Sequence, residues 1–411
     1  MTQKCIIIGA SHGAAQLSAS LRQEGFEGEL LVIGDEPHLP YQRPPLSKAF
    51  LSGDKVAEAL YIRPAAFYEK NNVLFRQARV TALNRDLQTL TIRDYDGRVD
   101  ELNYSKLALC TGARVRKIEI PGSDLSGIHY LRDMAGAEAL KRSVVAGRNA
   151  VVVGGGYIGL ETAASLRKLG MHVTVLEMAP RILQRVTAPE VSEFYHRVHS
   201  ENGVSIHTGV SVAGFSGKDC VERVVCADGS EFPADLVVVG VGVLPNTELA
   251  EAAGLAVDNG IVVDQYCCTN DPNIFAVGDC TNQFNDYYGR RVRLESVPSA
   301  TAQAKTAAAS ICGLRKSCTN FPWFWSDQYD LKLQIAGLSQ GYDKVVVRGD
   351  RHTSRSFSAF YLKEGKLIAA DCVNRPQEFM LSKKIISEKI NIDPKILADD
   401  SIPAKDLLMS V

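Results

Sequence analysis

The chain has 411 residues, of which 45% are hydrophobic and 23% charged, as in an ordinary globular protein of two to three domains. Its formal net charge of -1 argues against a nucleic-acid partner that binds through bulk positive charge. Apolar runs stay below the ~18 residues that a membrane helix needs, so we expect no membrane partner. The N-terminus runs directly into the apolar segment Cys5–Ile8 instead of a signal peptide, which predicts a cytoplasmic location.

The chain opens on the first copy of a weak internal repeat. Cys5-Ile-Ile-Ile-Gly begins one copy, and Val151-Val-Val-Gly-Gly-Gly begins the other. A helical pattern and a second strand follow each: Ala14–Glu24 and Leu30–Ile33 in the first copy, and Leu160–Leu169 and Val173–Leu176 in the second. Strand, glycine turn, helix and strand make the βαβ unit of a parallel sheet, so two nucleotide-binding domains of α/β fold are predicted.

The first glycine turn departs from the Gly-x-Gly-x-x-Gly pattern of dinucleotide-binding proteins. Gly9 is in place, Ser11 stands at the second glycine position, and Ala14 at the third, where alanine is tolerated. Asp35 is the candidate for a ribose ligand. The predicted cofactor contacts here are Gly9, Ser11, His12, Gly13, Ala14 and Asp35. Because the serine Cβ takes space that phosphate needs, we expect Ser11→Gly to tighten retention of the cofactor; unchanged or weaker affinity would contradict this.

Later strands of the first two segments also end in glycine. They are predicted at Leu107–Ala113, Leu236–Gly242 and Asn273–Asp279. If the last of these rejoins the first sheet, the second domain is inserted within the first.

The second glycine turn matches the pattern in full. Gly154, Gly156 and Gly159 permit the tight turn, the approach of backbone to pyrophosphate, and close helix packing. Glu177 ends the next strand, where an acid binds the ribose hydroxyl and repels a 2′-phosphate, so NADH is predicted over NADPH. The predicted NAD contacts are Gly154, Gly156, Tyr157, Ile158, Gly159, Glu177 and Gly242.

The cysteines and histidines give no metal pattern. The ten cysteines lack a C-x-x-C pair, and scattered cysteines fit a reducing compartment. We interpret Cys267 and Cys268 as strand residues that face opposite ways. His196 and His199 share a helix face without a third ligand, and we expect that face to be solvated. No metal or iron–sulfur site is therefore predicted.

Aromatic alternating segments begin after Gly313. Strands are expected at Phe321–Trp325, Phe357–Leu362 and Leu367–Val373, followed by two helical stretches. Ser299–Cys312 before them is expected to be a helix with Ser299 as its N-cap and Gly313 as its stop. Residues 321–411 are therefore predicted to form a third, α+β domain.

Several of these segments together resemble the NADH-dependent ferredoxin reductases of bacterial oxygenase systems, a branch of the pyridine nucleotide-disulfide oxidoreductases. The resemblance rests on Gly9 and Asp35, Arg43-Pro-Pro-Leu-Ser-Lys48, Thr111-Gly-Ala, Gly154–Glu161, Asn273–Asp279, Pro322-Trp-Phe-Trp-Ser-Asp-Gln328 and Val373-Asn-Arg-Pro. It implies an FAD-binding domain of residues 1–112 and 245–320, an NAD-binding domain of 113–244 inserted in it, and the C-terminal α+β domain of 321–411.

The resemblance also implies site residues. Lys48 would lie beside the flavin and pair with Glu161 as the catalytic pair, although each alone reads as a solvated helix residue. The remaining FAD contacts that it implies are Arg43, Val80, Thr111, Gly112, Arg132, Asp279, Val297 and Trp325. Trp325 has a second interpretation, as a packing residue beside Trp323.

The acceptor is the remaining question. Disulfide reductases of this fold carry a redox-active cysteine pair, whereas the segment Pro40–Lys48 has no cysteine, so electrons should leave directly from the flavin. The resemblance implies NADH, FAD and an acidic [2Fe-2S] ferredoxin that supplies a cytochrome P450 or ring-hydroxylating oxygenase, with docking at Arg63, Lys305 and Lys332. An NADH oxidase or quinone reductase, and a redox-responsive interaction protein, stay as alternatives.

Overall fold

The computed structural model describes residues 3–319 and 321–408. The α-helices are α1 (His12–Gln23), α2 (Ala65–Lys70), α3 (Met134–Ser143), α4 (Tyr157–Lys168), α5 (Pro189–Glu201), α6 (Glu248–Ala252), α7 (Val297–Ile311), α8 (Pro376–Ser387) and α9 (Pro394–Ala398). Short 3-10 helices cover Pro44–Ser47, Ala57–Leu60 and Ala404–Asp406. Within the described ranges, no helix has the length and apolar character needed to cross a membrane.

The strands lie between these helices. They are β1 (Lys4–Ile8), β2 (Glu29–Gly34), β3 (Val73–Asn84), β4 (Thr89–Asp94), β5 (Val99–Asn103), β6 (Lys106–Leu109), β7 (Ala113–Val115), β8 (Ile128–Tyr130), β9 (Asn149–Val153), β10 (His172–Glu177), β11 (Val204–Thr208), β12 (Val212–Ser216), β13 (Arg223–Cys226), β14 (Glu231–Pro233), β15 (Leu236–Val239), β16 (Val243–Pro245), β17 (Ile261–Val263), β18 (Ile274–Ala276), β19 (Thr281–Asn285), β20 (Arg290–Val292), β21 (Trp323–Gln328), β22 (Leu331–Gly337), β23 (Lys344–Arg348), β24 (Phe357–Lys363) and β25 (Lys366–Val373).

The chain divides into two compact units. The described part of the first unit is residues 3–42, 58–114, 243–319 and 321–322. The described part of the second unit is residues 43–57, 115–242 and 323–408. The segment 43–57 packs with the second unit because its residue Leu51 is buried in that unit's core.

The first unit is built on a sheet of order β18-β6-β1-β2-β3-β4-β5. Neighbours from β18 to β3 run parallel, and β4 and β5 return antiparallel. The run Cys5–Ile8 is buried throughout, as expected of a parallel strand covered on both faces. Ile274 pairs with Leu107, so the strand that follows Asn273 lies in the first sheet.

The second unit contains a parallel sheet of order β11-β10-β9-β15-β8 and an antiparallel sheet of order β21-β22-β25-β24-β23. Side chains of both sheets and of α5 share one core, in which the rings of Phe194 and Phe357 lie 4.8 Å apart. A further antiparallel sheet of β12, β13 and β14 also belongs to this unit.

Two local expectations are wrong. The N-cap of α7 is Ser296, whose extended backbone precedes the helix and whose side chain accepts a hydrogen bond from Ser299 N; Ser299 lies in the first turn instead. Cys267 is not a strand residue, because its N–H donates to Asp264 O in a turn and its φ is +62°. The helix nevertheless ends as expected at Gly313, which has a φ of +81°.

Candidate functional site

In the first unit, the first glycine turn joins β1 to α1. Gly9 has a φ of +103°, and a Cβ built on it would lie 2.1 Å from Cys110 O, so no other residue fits there. Ser11 has extended backbone and is the N-cap of α1, and Ala14 is buried at the third position. The first turn of α1 contains no acidic residue, which leaves the positive end of the helix dipole suited to an anion.

Four of the other FAD residues predicted in the first unit follow the ends of parallel strands. The carboxyl ends of parallel neighbours lie at one edge of a sheet, where nucleotides bind. Asp35 follows β2, Thr111 and Gly112 follow β6, and Asp279 follows β18. At this edge the N–H of Gly278 donates to Gln303 Oε1 at 2.8 Å. Val80 lies in the part of β3 that extends beyond its pairing with β2, and Val297 is the first residue of α7.

In the second glycine turn, which belongs to the second unit, the three glycines have different structural roles, as expected. A Cβ on Gly154, at a φ of +108°, would lie 2.4 Å from Gly240 O, and one on Gly159 would lie 2.1 Å from Gly154 O. These two positions therefore require glycine for the turn and for helix packing. A Cβ on Gly156 would meet no atom within 4 Å, so this side of the α4 N-terminus is open to a phosphate group.

Glu177 closes the second βαβ unit. Its Oε2 accepts from Gly155 N at 2.6 Å, and its Oε1 accepts from Ala179 N at 2.7 Å. The carboxylate is therefore anchored against the glycine turn, at the end of β10. Gly242 follows β15 at the same sheet edge, with a φ of +100° and open space where its Cβ would be. These features fit an NAD ribose and pyrophosphate.

The Lys48–Glu161 pair expected from the resemblance is present in the second unit. Pro44 and Pro45 open a 3-10 helix, and Lys48 caps its end. Lys48 Nζ donates to Glu161 Oε2 at 2.6 Å and to Pro44 O at 3.2 Å. Glu161 lies in the second turn of α4 and its side chain is 5% exposed, and that of Lys48 is 20% exposed, so neither is the solvated helix residue that each resembles when taken alone.

Two serines at this carboxylate escaped sequence reasoning. Ser47 Oγ donates to Glu161 Oε2 at 2.6 Å, and Ser326 Oγ donates to Oε1 at the same distance. Ser165 Oγ in turn donates to Ser47 O at 2.7 Å. Ser47 and Ser326 both lie in segments quoted for the resemblance, but serine there carried no local signal of a role.

The expectation that His196 and His199 share a solvated helix face holds for His196, which is exposed, and is wrong for His199. His199 is fully buried; its Nε2 lies 2.8 Å from Gln328 Oε1, and its Nδ1 lies 3.0 Å from the Tyr329 hydroxyl. Burial lowers the pKa of His199 to about 4, so the imidazole is neutral at physiological pH.

The remaining predicted FAD residues also belong to the second unit. Arg43 Nη1 donates to Arg132 O at 2.8 Å. Trp325 is half-buried, with its ring 5.7 Å from that of Trp323 and 6.3 Å from that of Phe324. This aromatic packing is the second interpretation that the sequence allowed for Trp325, and it leaves part of the ring accessible.

The three cations predicted for docking differ in their surroundings. The guanidinium of Arg63 lies 4.4 Å from the centre of the Phe67 ring, which orders it. Lys305 on α7 and Lys332 on β22 are exposed. In the part of the chain that the structure describes, no group of three or more His, Cys, Asp or Glu side chains is placed to hold a metal ion.

These turns and sheets define a class of protein. The chain belongs to the pyridine nucleotide-disulphide oxidoreductase family, whose profile matches residues 3–304, and the reductase C-terminal profile matches residues 323–408. The predicted α/β fold class, the oxidoreductase class and the cofactors FAD and NADH are confirmed at this level.

Individual members of the family show which proteins this chain is similar to. The chain is 45% identical over 410 residues to putidaredoxin reductase of Pseudomonas putida, covering 98% of this chain and 96% of that protein. The crystal structure of a covalent putidaredoxin reductase–putidaredoxin complex matches with a TM-score of 0.95 and 44% identity, covering 99% of this chain and 98% of that one. The ferredoxin reductase for the CYP199A2 system from Rhodopseudomonas palustris matches with a TM-score of 0.94 and 42% identity, covering 98% and 99%. The resemblance found in the sequence is therefore confirmed.

Proposed function

We propose that this chain is an FAD-dependent NADH:ferredoxin reductase that supplies a cytochrome P450 or a ring-hydroxylating oxygenase. The carrying observation is the likeness to putidaredoxin reductase, 45% identical over 98% of the chain. The acceptor is an acidic [2Fe-2S] ferredoxin in a transient complex. We also propose a cytoplasmic location.

The chemistry comes from the cofactor, which when bound accepts a hydride from NADH and releases single electrons. The protein binds FAD and NADH and orients them. We propose that FAD is held by Gly9, Ser11, His12, Gly13, Ala14, Asp35, Arg43, Lys48, Val80, Thr111, Gly112, Arg132, Asp279, Val297 and Trp325. NADH is held by Gly154, Gly156, Tyr157, Ile158, Gly159, Glu177 and Gly242. We propose the matching division of the chain into domains: an FAD-binding domain of residues 1–112 and 245–320, an NAD-binding domain of residues 113–244 and a C-terminal domain of residues 321–411.

Lys48 and Glu161 are the proposed catalytic pair. The buried Glu161 carboxylate orients the Lys48 ammonium, whose positive charge stabilises electron density that develops on the reduced cofactor. The segment 40–48 contains no cysteine, which supports transfer without a thiol relay.

For the partner, we propose docking at Arg63, Lys305 and Lys332. Lys305 and Lys332 are exposed and Arg63 is half-buried. Their positive charges attract an acidic partner, and this attraction weakens as salt rises, which suits a complex that forms and dissociates in each turnover.

The test is NADH-driven cytochrome c reduction by the purified flavoprotein, with and without an added [2Fe-2S] ferredoxin. We expect a large ferredoxin-dependent rise and slow oxygen consumption without ferredoxin. Rapid NADH consumption under air without such a rise would favour an NADH oxidase or quinone reductase. NADH binding that changes assembly without efficient turnover would favour a redox-responsive interaction protein.

A further inference from the structure

Glu161 accepts more hydrogen bonds than its ion pair with Lys48 requires. Oε2 accepts from Lys48 Nζ and Ser47 Oγ, and Oε1 accepts from Ser326 Oγ, each at 2.6 Å. A carboxylate paired with an ammonium has no hydrogen to donate. Both serines therefore donate to it, and the direction of the Ser326 hydrogen bond is fixed.

That direction determines the orientation of Gln328. Ser326 has one hydroxyl hydrogen, which goes to Glu161, so its oxygen accepts from Gln328 Nε2 at 3.1 Å. The amide nitrogen of Gln328 thus faces Ser326. Its carbonyl oxygen Oε1 faces the other way, toward His199 Nε2 at 2.8 Å.

The tautomer of His199 follows in the same way. A carbonyl oxygen only accepts, so Nε2 of His199 carries the proton. Nδ1 is then an acceptor and takes the hydrogen of the Tyr329 hydroxyl, 3.0 Å away. The lowered pKa of His199, about 4 because of burial, agrees with this neutral form.

The fold buries the residues that form this series of hydrogen bonds, away from water. Ser326 and Gln328 are two residues apart on β21, so they lie on one face of the strand, and they are 0% and 1% exposed. His199 on α5 is also 0% exposed. At low local dielectric, such hydrogen bonds are stronger than in water, and an unpaired member is costly. This series of hydrogen bonds therefore resists rearrangement.

We propose that His199, Gln328 and Ser326 are positioning residues, forming a directional hydrogen-bond chain that fixes the Glu161 carboxylate, and through it the Lys48 ammonium, for the transfer of hydride from NADH to the flavin. This inference rests on the proposed function, because it assigns a role in that reaction. With Oε1 fixed by Ser326 and Oε2 by Ser47 and Lys48, the carboxylate has one orientation. Without Ser326, the carboxylate is held only at Oε2, by Ser47 and Lys48, and the position of Oε1 is no longer fixed.

The first measurement is anaerobic stopped-flow reduction of the bound flavin at increasing NADH concentration. For Ser326→Ala, we expect the limiting rate constant to fall by about 10-fold to 100-fold, since small misplacement of a catalytic group is costly. The half-saturating NADH concentration should stay within about twofold, because Ser326 is proposed to act on the reacting group and not on the nucleotide. The control is Ser382→Ala, another fully buried serine of the second unit, whose hydroxyl donates to Glu378 O within its own helix. It should leave the rate constant unchanged.

A double-mutant cycle separates positioning from a general structural effect. In a Glu161→Ala background, Ser326→Ala should change the rate constant by less than about twofold, because its target is absent. Equal loss in both backgrounds would show that Ser326 acts independently of Glu161 and would overturn the inference.

Gln328→Met is the second variant, used if Ser326→Ala loses its flavin or its thermal stability. It keeps the side-chain length but removes the amide that donates to Ser326 Oγ, and the same rate constant should fall. An unchanged rate in both variants, with a wild type that NADH reduces rapidly, overturns the inference alone. A wild type whose flavin NADH does not reduce overturns the proposed function itself.

Discussion

At the scale of single residues, two buried titratable groups of the second unit, Asp371 and His199, have opposite effects on how the free energy of unfolding changes with pH. Burial raises the pKa of Asp371 from 3.8 to about 7, while the Tyr361 hydroxyl donates to its carboxylate. Burial lowers the pKa of His199 from 6.5 to about 4. Between about pH 4 and 6.5, the folded protein holds a proton on Asp371 that the unfolded chain has lost. Over the same range it lacks a proton on His199 that the unfolded chain has gained.

The two contributions therefore have opposite signs. That of Asp371 lowers the free energy of unfolding as pH rises toward 7, and that of His199 lowers it as pH falls from 6.5 toward 4. Across the shared window they nearly cancel.

Asp371→Asn should expose the histidine contribution. Asparagine still accepts from the Tyr361 hydroxyl but does not titrate. Relative to wild type, the slope of the free energy of unfolding against pH should become more positive by about 1.4 kcal/mol per pH unit between pH 4.5 and 6.5. Urea unfolding at a series of pH values measures the slope. His199→Gln should change the slope in the opposite direction, and parallel pH profiles for all three proteins would refute the pairing.

Glu177 carries a second prediction at this scale, because its carboxylate anchors the glycine turn and is proposed to bind the ribose of NADH. Glu177→Ala should lower kcat/KM for NADH by at least about 10-fold, while NADPH loses less because the repulsion of its 2′-phosphate is relieved. The ratio of kcat/KM for the two nucleotides measures this. The neighbouring Met178, which is 73% exposed, offers Met178→Ala as a control with the wild-type ratio. An unchanged ratio in Glu177→Ala would contradict the assignment.

At the scale of elements, α7 shows how a cap is misread from sequence. Ser296, Val297 and Pro298 precede the apolar run, and both serines in Ser296–Ser299 are acceptable caps. The proline has no N–H and fits the first turn, so the helix begins before it. Only Ser296 then remains outside the helix, free to accept from Ser299 N.

Ser296→Ala should cost about 1 kcal/mol of stability, since it removes the side-chain acceptor at the N-terminus of α7. Thermal unfolding of the FAD-loaded protein measures the loss. Thr301→Ala, in the same helix but beyond its first turn, is the matched control and should cost less. If both changes cost the same, the cap assignment fails.

At the scale of the whole molecule, 46 Lys and Arg residues nearly balance 47 Asp and Glu residues, so the net charge of -1 does not by itself attract an acidic partner. The proposed docking cations are the feature that matters for turnover with a protein acceptor. Long-range attraction between exposed charges is screened beyond roughly 10 Å at 0.1 M salt. Ferredoxin reduction should therefore be more sensitive to salt than reduction of a small neutral acceptor.

Lys332→Glu and Lys305→Glu should each raise the KM for ferredoxin several-fold, by about 3-fold to 10-fold at low salt, with the difference from wild type shrinking as salt rises. Steady-state assays with ferredoxin at several ionic strengths measure this, and reduction of a small neutral quinone should be unaffected. Lys218→Glu changes an exposed lysine of the β12–β13 connection by the same charge and is the control. Salt-independent ferredoxin turnover would remove the basis for the docking proposal.

Local patterns in the sequence determined much of this protein. Strand, glycine turn and helix are encoded within some 30 residues, so both βαβ units, the roles of Gly154 and Gly159, and the place of Glu177 were predictable. The resemblance added the pair of Lys48 and Glu161, which no local pattern singles out.

Tertiary structure alone decided what surrounds that pair. Ser326 lies 165 residues from Glu161 in the chain, and Gln328 lies 129 residues from His199. A buried histidine and a solvated one look alike when the helix face is judged without its neighbour, so His199 was misjudged. Asp371 likewise became a group with a raised pKa only because β24 and the core enclose it. The physical reason is the same in each case: hydrogen-bond partners and desolvation come from elements distant in sequence, and their effect exists only once the chain has folded.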